Sequence, residues 1–356
     1  MKAFLILENG QVFEGTSIGA TKDMVSELVF NTSITGYLEV LTNPANAGKA
    51  VVMTYPLIGN YGICYEDMES DHTWADGIIV RELSRVPSNF RSEDTIQNFL
   101  INNNVTGIAG IDTRALTKLL RDNGSMKGMI TTNEAYNLDD ILPQLKAFES
   151  ENLVAKVTDY EKYVLEGEGS KIAYVDYGSP RHIVKDLNKR GNEVAVYPAG
   201  TKADEILAGQ PDGIIISDGP GCPCECDLEE IKKLFNSGIP MMAYGLGHNL
   251  VALANGGSIE KMVYGHRGGN HPVKNTESGK VYISSQNHGY IVVKNSVSSD
   301  IAKESFVNVN DNTNEGYDYI GKNVFTIQFI PEICDYSDKS NIMYDRFEAM
   351  MKKGRD

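Results

Sequence analysis

The second half of the chain alternates short apolar strands with helical segments, and this pattern restricts the fold more than any other feature. We predict strands at residues 171–175, 193–197, 213–216 and 241–244. Strands that alternate with helices form a parallel sheet with crossover helices, so the fold class is α/β. Because ligands of such sheets bind at the carboxyl ends of the strands, functional residues are expected in the loops that follow the later strands.

The first half predicts a smaller α+β domain. Apolar residues 3–7, the pair Asn9-Gly10 and residues 11–13 indicate a tight β-hairpin. Asp112 is expected to cap a helix that Gly124 ends. The apolar stripe of this helix consists of Ile111, Leu116, Leu119 and Leu120.

An acidic stretch near residues 160–171, which contains glycine and lacks an apolar period, indicates an exposed connection. The predicted domains are therefore residues 1–155 and 171–356, joined by a linker at 156–170. A chain of 356 residues with 41% hydrophobic residues is long enough for two separate cores.

Charge and hydropathy exclude two classes of function. The formal net charge of -15 repels nucleic-acid phosphates and anionic membrane surfaces. The apolar run at residues 3–7 is too short for a signal-peptide core, and no stretch approaches the length of a membrane span. We expect a cytoplasmic protein that binds neither nucleic acid nor membrane.

The five cysteines are Cys64, Cys222, Cys224, Cys226 and Cys334. An odd, scattered set does not form the disulfide framework of a small secreted domain, so reduced thiols are predicted. Two alternatives stay open for the cluster at 222–226, a metal site and a displaced nucleophile. Zinc sites generally need Cys-x-x-Cys pairs and two further ligands, which the sequence lacks, and we predict no metal.

Two segments of the second half carry a family resemblance. The loop Ser217-Asp-Gly-Pro-Gly221 and the strand, sharp turn and helix of residues 240–254 resemble class I glutamine amidotransferases. Further matches at residues 31–37, 54–62, 107–114, 268–273 and 286–290 are similar to the small-chain family of carbamoyl-phosphate synthase. The resemblance covers nearly the whole chain.

This resemblance implies a subunit that hydrolyses glutamine with a Cys thiolate, a His base and a Glu that orients the His. Ammonia then passes to a large partner chain that uses ATP. The sequence departs from that scheme, because Gly245 stands at the nucleophile position and Ile330 at the base position. Neither side chain can perform the step. Glu332 matches the third member, and we expect it to have no imidazole left to hold.

Positions that bind glutamine in the family are partly altered. Ala45 replaces a Ser, and Asn249 replaces a Gln. The family's oxyanion and amide contacts match Gly219, Gly221 and Leu246, and the contacts to the glutamine backbone match Asn287, Gly289 and Tyr290. His248 lies in the elbow helix and is interpreted as a packing residue. His266 and His271 flank a Gly-rich stretch, for which a tight turn is expected.

The leading hypothesis is an assisting small subunit whose own glutaminase activity is lost and which supports ammonia-dependent synthesis by a large chain. ATP and Mg²⁺ are expected on that partner, because this chain has no phosphate-binding Gly-Lys-Ser/Thr loop and no cofactor is predicted for it. Two alternatives are a hydrolysing subunit with a non-standard nucleophile and a subunit that binds a small regulatory metabolite. The sequence does not distinguish arginine from pyrimidine biosynthesis.

Overall fold

The computed structural model describes residues 1–150, 152–158, 161–333 and 341–353. The chain divides into two compact units, Met1–Glu151 and Asn152–Asp356. Each unit has its own buried core.

Seven strands of the first unit close into a barrel in the order β1-β2-β8-β6-β4-β3-β9. The strands are β1 Lys2–Leu7, β2 Val12–Ser17, β3 Met24–Asn31, β4 Lys49–Met53, β5 Leu57–Ile58, β6 Gly77–Ile79, β7 Glu82–Leu83, β8 Thr106–Ala109 and β9 Met126–Thr131. The helices are α1 Tyr37–Thr42, α2 Ile96–Asn102, α3 Thr113–Asn123 and α4 Leu138–Ala147, with single 3-10 turns at Pro44–Asn46 and Tyr65–Asp67. β5 and β7 form a separate two-stranded sheet. The predicted α+β class is confirmed, with closure of the barrel as the added feature.

Both local predictions for the first unit are confirmed. β1 and β2 pair in antiparallel register, and Gly10 takes the left-handed φ of 86° that the turn requires. The Asp112 side chain accepts the backbone N–H of Ala115 at 3.0 Å, and Gly124 follows the last helical residue with φ 96°. Leu116 and Leu120 are fully buried on the inner face of α3.

The second unit is built on a ten-stranded sheet in the order β10-β12-β11-β13-β14-β19-β18-β17-β15-β16. Its strands are β10 Tyr163–Leu165, β11 Lys171–Asp176, β12 Glu193–Pro198, β13 Gly213–Ile216, β14 Met241–Tyr244, β15 Ile259–Asn275, β16 Val281–Val292, β17 Ala302–Asn308, β18 Asn314–Tyr319 and β19 Val324–Ile327. Its helices are α5 Leu153–Val157, α6 Arg181–Lys189, α7 Ala203–Ala208, α8 Leu228–Asn236, α9 Leu246–Ala254 and α10 Ile342–Lys353, with a 3-10 turn at Pro223–Glu225. Strands β12, β11, β13, β14 and β19 are parallel neighbours, and the remaining pairs are antiparallel.

The four strands predicted from the apolar alternation all form, two of them one residue longer than expected. Their side chains are buried almost without interruption, as in a parallel sheet covered by helices on both faces. Helices α6 and α8 each bury one apolar stripe against the sheet.

The expected linker at 156–170 is not a free connection. Tyr163–Leu165 form β10, which pairs with β12 at the edge of the large sheet. Helix α5 also lies in the second unit, which begins at Asn152 rather than near 171. The apolar run of β10 is only three residues long and stands within an acidic stretch, and so it was too short to indicate a strand in the sequence. Tyr160 lies outside the described residues.

Within the described part of the chain, every helix is too short or too polar to cross a bilayer.

Candidate functional site

Four neighbouring parallel strands, β11, β13, β14 and β19, carry the residues singled out by the sequence. The loop after β13 holds Asp218, and Gly245 follows β14 directly. Ile330 lies three residues beyond β19. Because the carboxyl ends of parallel strands meet at one edge of the sheet, the expected concentration of functional positions at this edge is confirmed in the architecture.

The elbow between β14 and α9 has the backbone of a sharp strand-to-helix turn. Gly245 takes φ 56° and ψ -119°, a conformation that an L side chain adopts only with strain. The Gly245 amide donates to the Ile327 carbonyl at 3.0 Å, and the Gln328 side-chain amide donates to the Gly245 carbonyl at 3.2 Å. The elbow therefore keeps its geometry without the side chain that would use it.

The space in front of the elbow is filled by Asp218. A Cβ built on Gly245 would lie 2.7 Å from the Cβ of Asp218 and closer still to its carboxyl group. The backbone N–H of Leu246 donates to Asp218 Oδ1 at 2.8 Å, and the N–H of Gly219 bonds the same carboxyl. Gly219 and Leu246 are the positions that the resemblance assigns to oxyanion and amide contacts. An acidic side chain of this protein therefore uses these donors.

Burial governs the charge of Asp218, which is 5% exposed. Burial raises the pKa of its carboxyl, the two backbone N–H groups and the Arg267 charge oppose this, and the resulting pKa is about 7. Arg267 is itself buried and donates to the Tyr264 carbonyl at 2.7 Å. The side chain at 218 therefore changes its charge near neutral pH.

The expectation that Glu332 holds no imidazole is wrong. Glu332 Oε1 lies 3.0 Å from Nε2 of His182, which is in the first turn of α6 after β11. Both side chains are about one third exposed. Ile330 packs against the core and donates its backbone N–H to the Ser285 carbonyl at 2.9 Å. A carboxylate and an imidazole thus still meet, but the imidazole comes from helix α6 rather than from the segment after β19.

The backbone is constrained at several positions of the second unit that the resemblance assigns to glutamine binding. Gly221 has φ 89°, and a Cβ on Gly219 would run into the carbonyl of Tyr177. A Cβ on Gly289 would lie 3.1 Å from Arg267 Nη2. Tyr290 is half-buried, and its carbonyl lies 3.0 Å from His288 Nδ1. These positions therefore leave little room for larger side chains.

Two amide side chains at the site lack hydrogen-bond partners among the described residues. Asn287 has both Oδ1 and Nδ2 buried and unpaired, and Asn249 has Oδ1 in the same condition. Buried polar atoms without partners are costly and are typical of ligand sites.

Ala45 belongs to the first unit, where it is buried in the 3-10 turn Pro44–Asn46.

His248 is a packing residue, as expected. It is fully buried, its Nδ1 lies 2.8 Å from Thr326 Oγ1, and its ring stacks on Tyr317. Burial lowers the pKa of His248 to about 3, so the ring is neutral at physiological pH. It is not placed to serve as a base at the elbow.

The prediction of reduced thiols is wrong for two cysteines. Cys222 and Cys224 form a disulfide across the 3-10 turn that follows the Asp218 loop. The two cysteines are two positions apart in the sequence, and this spacing alone did not indicate that they form a bond. Cys226 and Cys64 are free, and burial raises the pKa of the Cys226 thiol to about 12. Cys334 lies outside the described residues.

His266 and His271 lie in the long strand β15, which has two register shifts, and the expected tight turn is wrong. Among the described residues, His266, His288 and Glu315 are the buried group that could hold a metal. Gln286 Oε1 lies 2.9 Å from His266 Nδ1 and 2.8 Å from His288 Nε2, so an amide already fills the space between the rings. The cluster is a hydrogen-bond network rather than an open ligand set.

Sequence reasoning missed Asp218 and His182 as members of the site. Asp218 stands inside the loop that was singled out, beside the glycines that match oxyanion contacts, and an acidic residue at that point was the available signal. His182 gave no signal, because its meeting with Glu332 depends on the packing of α6 against the far end of β19.

The fold and the elbow define a glutamine amidotransferase domain of class I. The family model described as glutamine amidotransferase class-I matches residues 173–350, and the model of the carbamoyl-phosphate synthase small chain, CPSase domain, matches residues 5–130. The chain belongs to the family of carbamoyl phosphate synthase small chains.

Relatives support this over the full length. The carbamoyl phosphate synthase small chain of Clostridium perfringens is 46% identical over 98% of this chain and 99% of its own length. The pyrimidine-specific small chain of Bacillus subtilis is 41% identical over 99% of this chain and 96% of its own. A solved glutamine amidotransferase from Thermotoga maritima has a TM-score of 0.40 at 15% identity, and it covers 53% of this chain and 87% of its own.

Proposed function

We propose that this chain is a small subunit of carbamoyl phosphate synthase that does not hydrolyse glutamine and instead supports ammonia-dependent synthesis by a large chain. The observation that carries the proposal is the elbow: Gly245 has no side chain, and the Asp218 carboxyl fills the space that a side chain would need. Membership of the small-chain family supports the large chain as partner.

The chemistry of hydrolysis requires a nucleophile that forms an acyl intermediate and a base that activates it. Gly245 cannot form a thioester, and Ile330 cannot carry a proton. Loss of the nucleophile alone reduces turnover about a millionfold in a hydrolase triad. The His182–Glu332 pair provides an imidazole, but no thiol of the described cysteines stands at the elbow with it.

The alternative of a displaced cysteine nucleophile has no support in the described residues. Cys222 and Cys224 are bonded to each other, which leaves neither as a thiolate. Cys226 is partly buried and has a pKa raised to about 12, so it is a thiol at neutral pH. A reactive cysteine needs the opposite, a lowered pKa and access to substrate.

In this proposal the large chain binds ATP and Mg²⁺ and performs the phosphoryl transfers. The first unit, whose residues 5–130 match the small-chain domain model, is the part that meets the large chain. The subunit's contribution is to stabilise or tune the large chain.

The test is carbamoyl phosphate synthesis by this chain and its cognate large chain, with glutamine or ammonium chloride as the sole nitrogen source. We expect synthesis with ammonium and none with glutamine. We also expect the ammonium-dependent rate, or the thermal stability of the large chain, to rise when this chain is added. Comparable rates with both nitrogen sources would sink the proposal.

A matched variant separates the alternative. The variant Cys222→Ser removes the Cys222 sulfur and the disulfide that it forms with Cys224, and in our proposal it leaves the ammonium-dependent rate unchanged. Glutamate release that is present in the wild type and absent in Cys222→Ser would identify a displaced nucleophile. Failure of the two chains to associate in gel filtration would argue against an assisting role of any kind.

A further inference from the structure

The Asp218 carboxyl sits on the donors that amidotransferase chemistry uses for a developing oxyanion. Such a site works by placing backbone N–H groups where negative charge forms on the substrate oxygen. Here the Leu246 N–H donates to Asp218 Oδ1 at 2.8 Å, and the Gly219 N–H bonds the same group. A carboxyl is a close chemical match for that oxygen in shape and in its need for donors.

The position of the Asp218 carboxyl depends on the absence of a side chain at 245. The carboxyl lies where any Cβ on Gly245 would go, so the two cannot be present at once without movement of the loop. Ser217 fixes the loop, since its hydroxyl accepts the Tyr177 N–H at 2.8 Å and its backbone N–H donates to the Val175 carbonyl at 3.1 Å. The position of Asp218 is therefore built into the turn after β13.

We propose that Asp218 is the specificity-determining residue of this site, a resident occupant of the oxyanion hole that excludes the side-chain amide or carboxyl of a free amino acid. The inference rests on the proposed function only in treating the Gly219 and Leu246 amides as an oxyanion hole. It concerns what the pocket binds, whereas the proposed function concerns what the subunit turns over.

The other end of the pocket keeps features of a ligand site. The Asn287 amide has both polar atoms buried and unpaired among the described residues, and it matches a position that holds the glutamine backbone. Asn249 Oδ1, on the first turns of α9, is also unpaired within the same part of the chain. These atoms supply donors and acceptors that a free amino acid can use once the oxyanion end is cleared.

An internal occupant has a physical advantage over a free ligand. Asp218 is tethered beside the two amides, so its binding costs no translational entropy, whereas a free ligand loses that freedom on binding. Protonation does not release it, because a neutral carboxyl still presents an acceptor oxygen to the two N–H groups. Exclusion is therefore expected on both sides of the titration of Asp218.

The experiment is isothermal titration of the full-length chain with L-glutamine. The proteins are the wild type, Asp218→Ala, Asp218→Asn and, as a matched control, Asp300→Ala at an exposed loop position. We expect Asp218→Ala to bind glutamine at least about tenfold more tightly than the wild type. Asp218→Asn and Asp300→Ala are expected to behave as the wild type, because an asparagine places an amide oxygen on the same donors.

Equal affinity of the wild type and Asp218→Ala, including no binding to either, overturns the assignment. Tight binding to Asp218→Asn also overturns it, since charge and not occupancy would then exclude the ligand. If Asp218→Ala does not fold, the assignment is tested by a pH titration of the wild-type chain followed by NMR. The amide resonances of Gly219 and Leu246 should shift together with one midpoint as Asp218 titrates, and amides that do not respond contradict the contact.

The two proposals fail separately. Glutamate released by the wild-type complex would remove the proposed function, whereas the assignment of Asp218 is decided by the glutamine affinities of the wild type and Asp218→Ala. An Asp218→Ala chain that binds glutamine without hydrolysing it supports both, because Gly245 and Ile330 are unchanged in that variant.

Discussion

At the scale of single residues, the molecule is defined by which side chain fills which space. Glycine at 245 satisfies the left-handed elbow and leaves room for the Asp218 carboxyl. The ring of His182 pairs with the carboxylate of Glu332, and the hydrocarbon side chain of Ile330 has no group that could do so. At the elbow and at Glu332 a neighbouring side chain therefore fills the space or supplies the pairing, and neither neighbour supplies a nucleophile.

The buried Asp218 carboxyl predicts a pH dependence of stability. Its pKa is about 7 in the folded chain and near 3.8 when exposed, so the native state binds the proton more tightly. The free energy of unfolding should fall as pH rises from about 4 to 7, by up to about 4 kcal/mol. Urea unfolding at several pH values measures this.

The comparison that isolates Asp218 uses two variants. An asparagine at position 218 does not titrate. In Asp218→Asn the decline of the free energy of unfolding between pH 4 and 7 should therefore be smaller than in the wild type by up to about 4 kcal/mol. The exposed control Asp300→Asn should retain the wild-type decline. Parallel curves for the wild type and Asp218→Asn would show that the group is not the buried acid described.

His266 predicts a second effect, which has the same sign and occurs at higher pH. Burial lowers the pKa of His266, but the hydrogen bond to Asp311 and the nearby carboxylate of Glu315, 3.6 Å from Nδ1, outweigh it and raise the pKa to about 9. The protonated ring therefore adds stability that is complete below about pH 6.5 and is lost as pH rises through 9.

Removal of this ring should be costly at neutral pH. His266→Ala leaves Glu315, which is 0% exposed, without its nearest cation and should lower the free energy of unfolding by about 3–5 kcal/mol. His72→Ala, at an exposed ring that contacts Trp74, should cost less than about 1.5 kcal/mol. Similar losses in the two variants at pH 7 would contradict the buried ion pair.

At the scale of elements, the strand-to-helix turn at Gly245 allows two costs of a substitution to be measured separately, backbone strain and steric collision. Gly238 has φ 83° and open space around it, so Gly238→Ala measures backbone strain alone, about 1–2 kcal/mol. Gly245→Ala adds a collision with Asp218 and should cost about 1–3 kcal/mol more. Thermal unfolding of the two glycine variants, of Asp218→Ala and of the double variant Gly245→Ala with Asp218→Ala measures the coupling between positions 245 and 218. If the stability losses of the two single variants add up in the double variant, the contact between these positions is contradicted.

Helix α3 offers a test at its two ends. Asp112 caps the N-terminus through the Ala115 N–H, and Asp112→Ala should lower the free energy of unfolding by about 1 kcal/mol. Asp122 lies in the last turn of the same helix, where a negative charge is unfavourable to the helix dipole. Asp122→Ala should therefore be neutral within about 0.5 kcal/mol. Equal effects at both ends would show that the cap does not contribute.

The sequence predicted the elements well where local patterns decide them. The hairpin at Gly10, the cap at Asp112 and the four parallel strands depend on turn chemistry and apolar runs that are visible in order along the chain. Edge strand β10 was missed because its apolar run is only three residues long. The contacts of Asp218 and His182 were missed because each joins side chains from separate loops, and no spacing rule reports how loops pack.

At the scale of the whole molecule, the two units differ in how their sheets end. The first unit closes seven strands into a barrel, which leaves no strand of that sheet at an edge, and it has its own buried core. We expect residues 1–150 to fold alone and to unfold cooperatively in urea. A non-cooperative transition, or a spectrum without dispersed amide resonances, would show that the barrel needs the second unit.

The collision between a side chain at 245 and the Asp218 carboxyl also makes any change at 245 depend on position 218. A cysteine placed at 245 by a single substitution would meet the carboxyl and a strained backbone, and it would find no base at 330. Substitution of Asp218 together with Gly245 removes the first of these obstacles. The construction of a glutaminase on this scaffold therefore has to begin at position 218 rather than at the elbow.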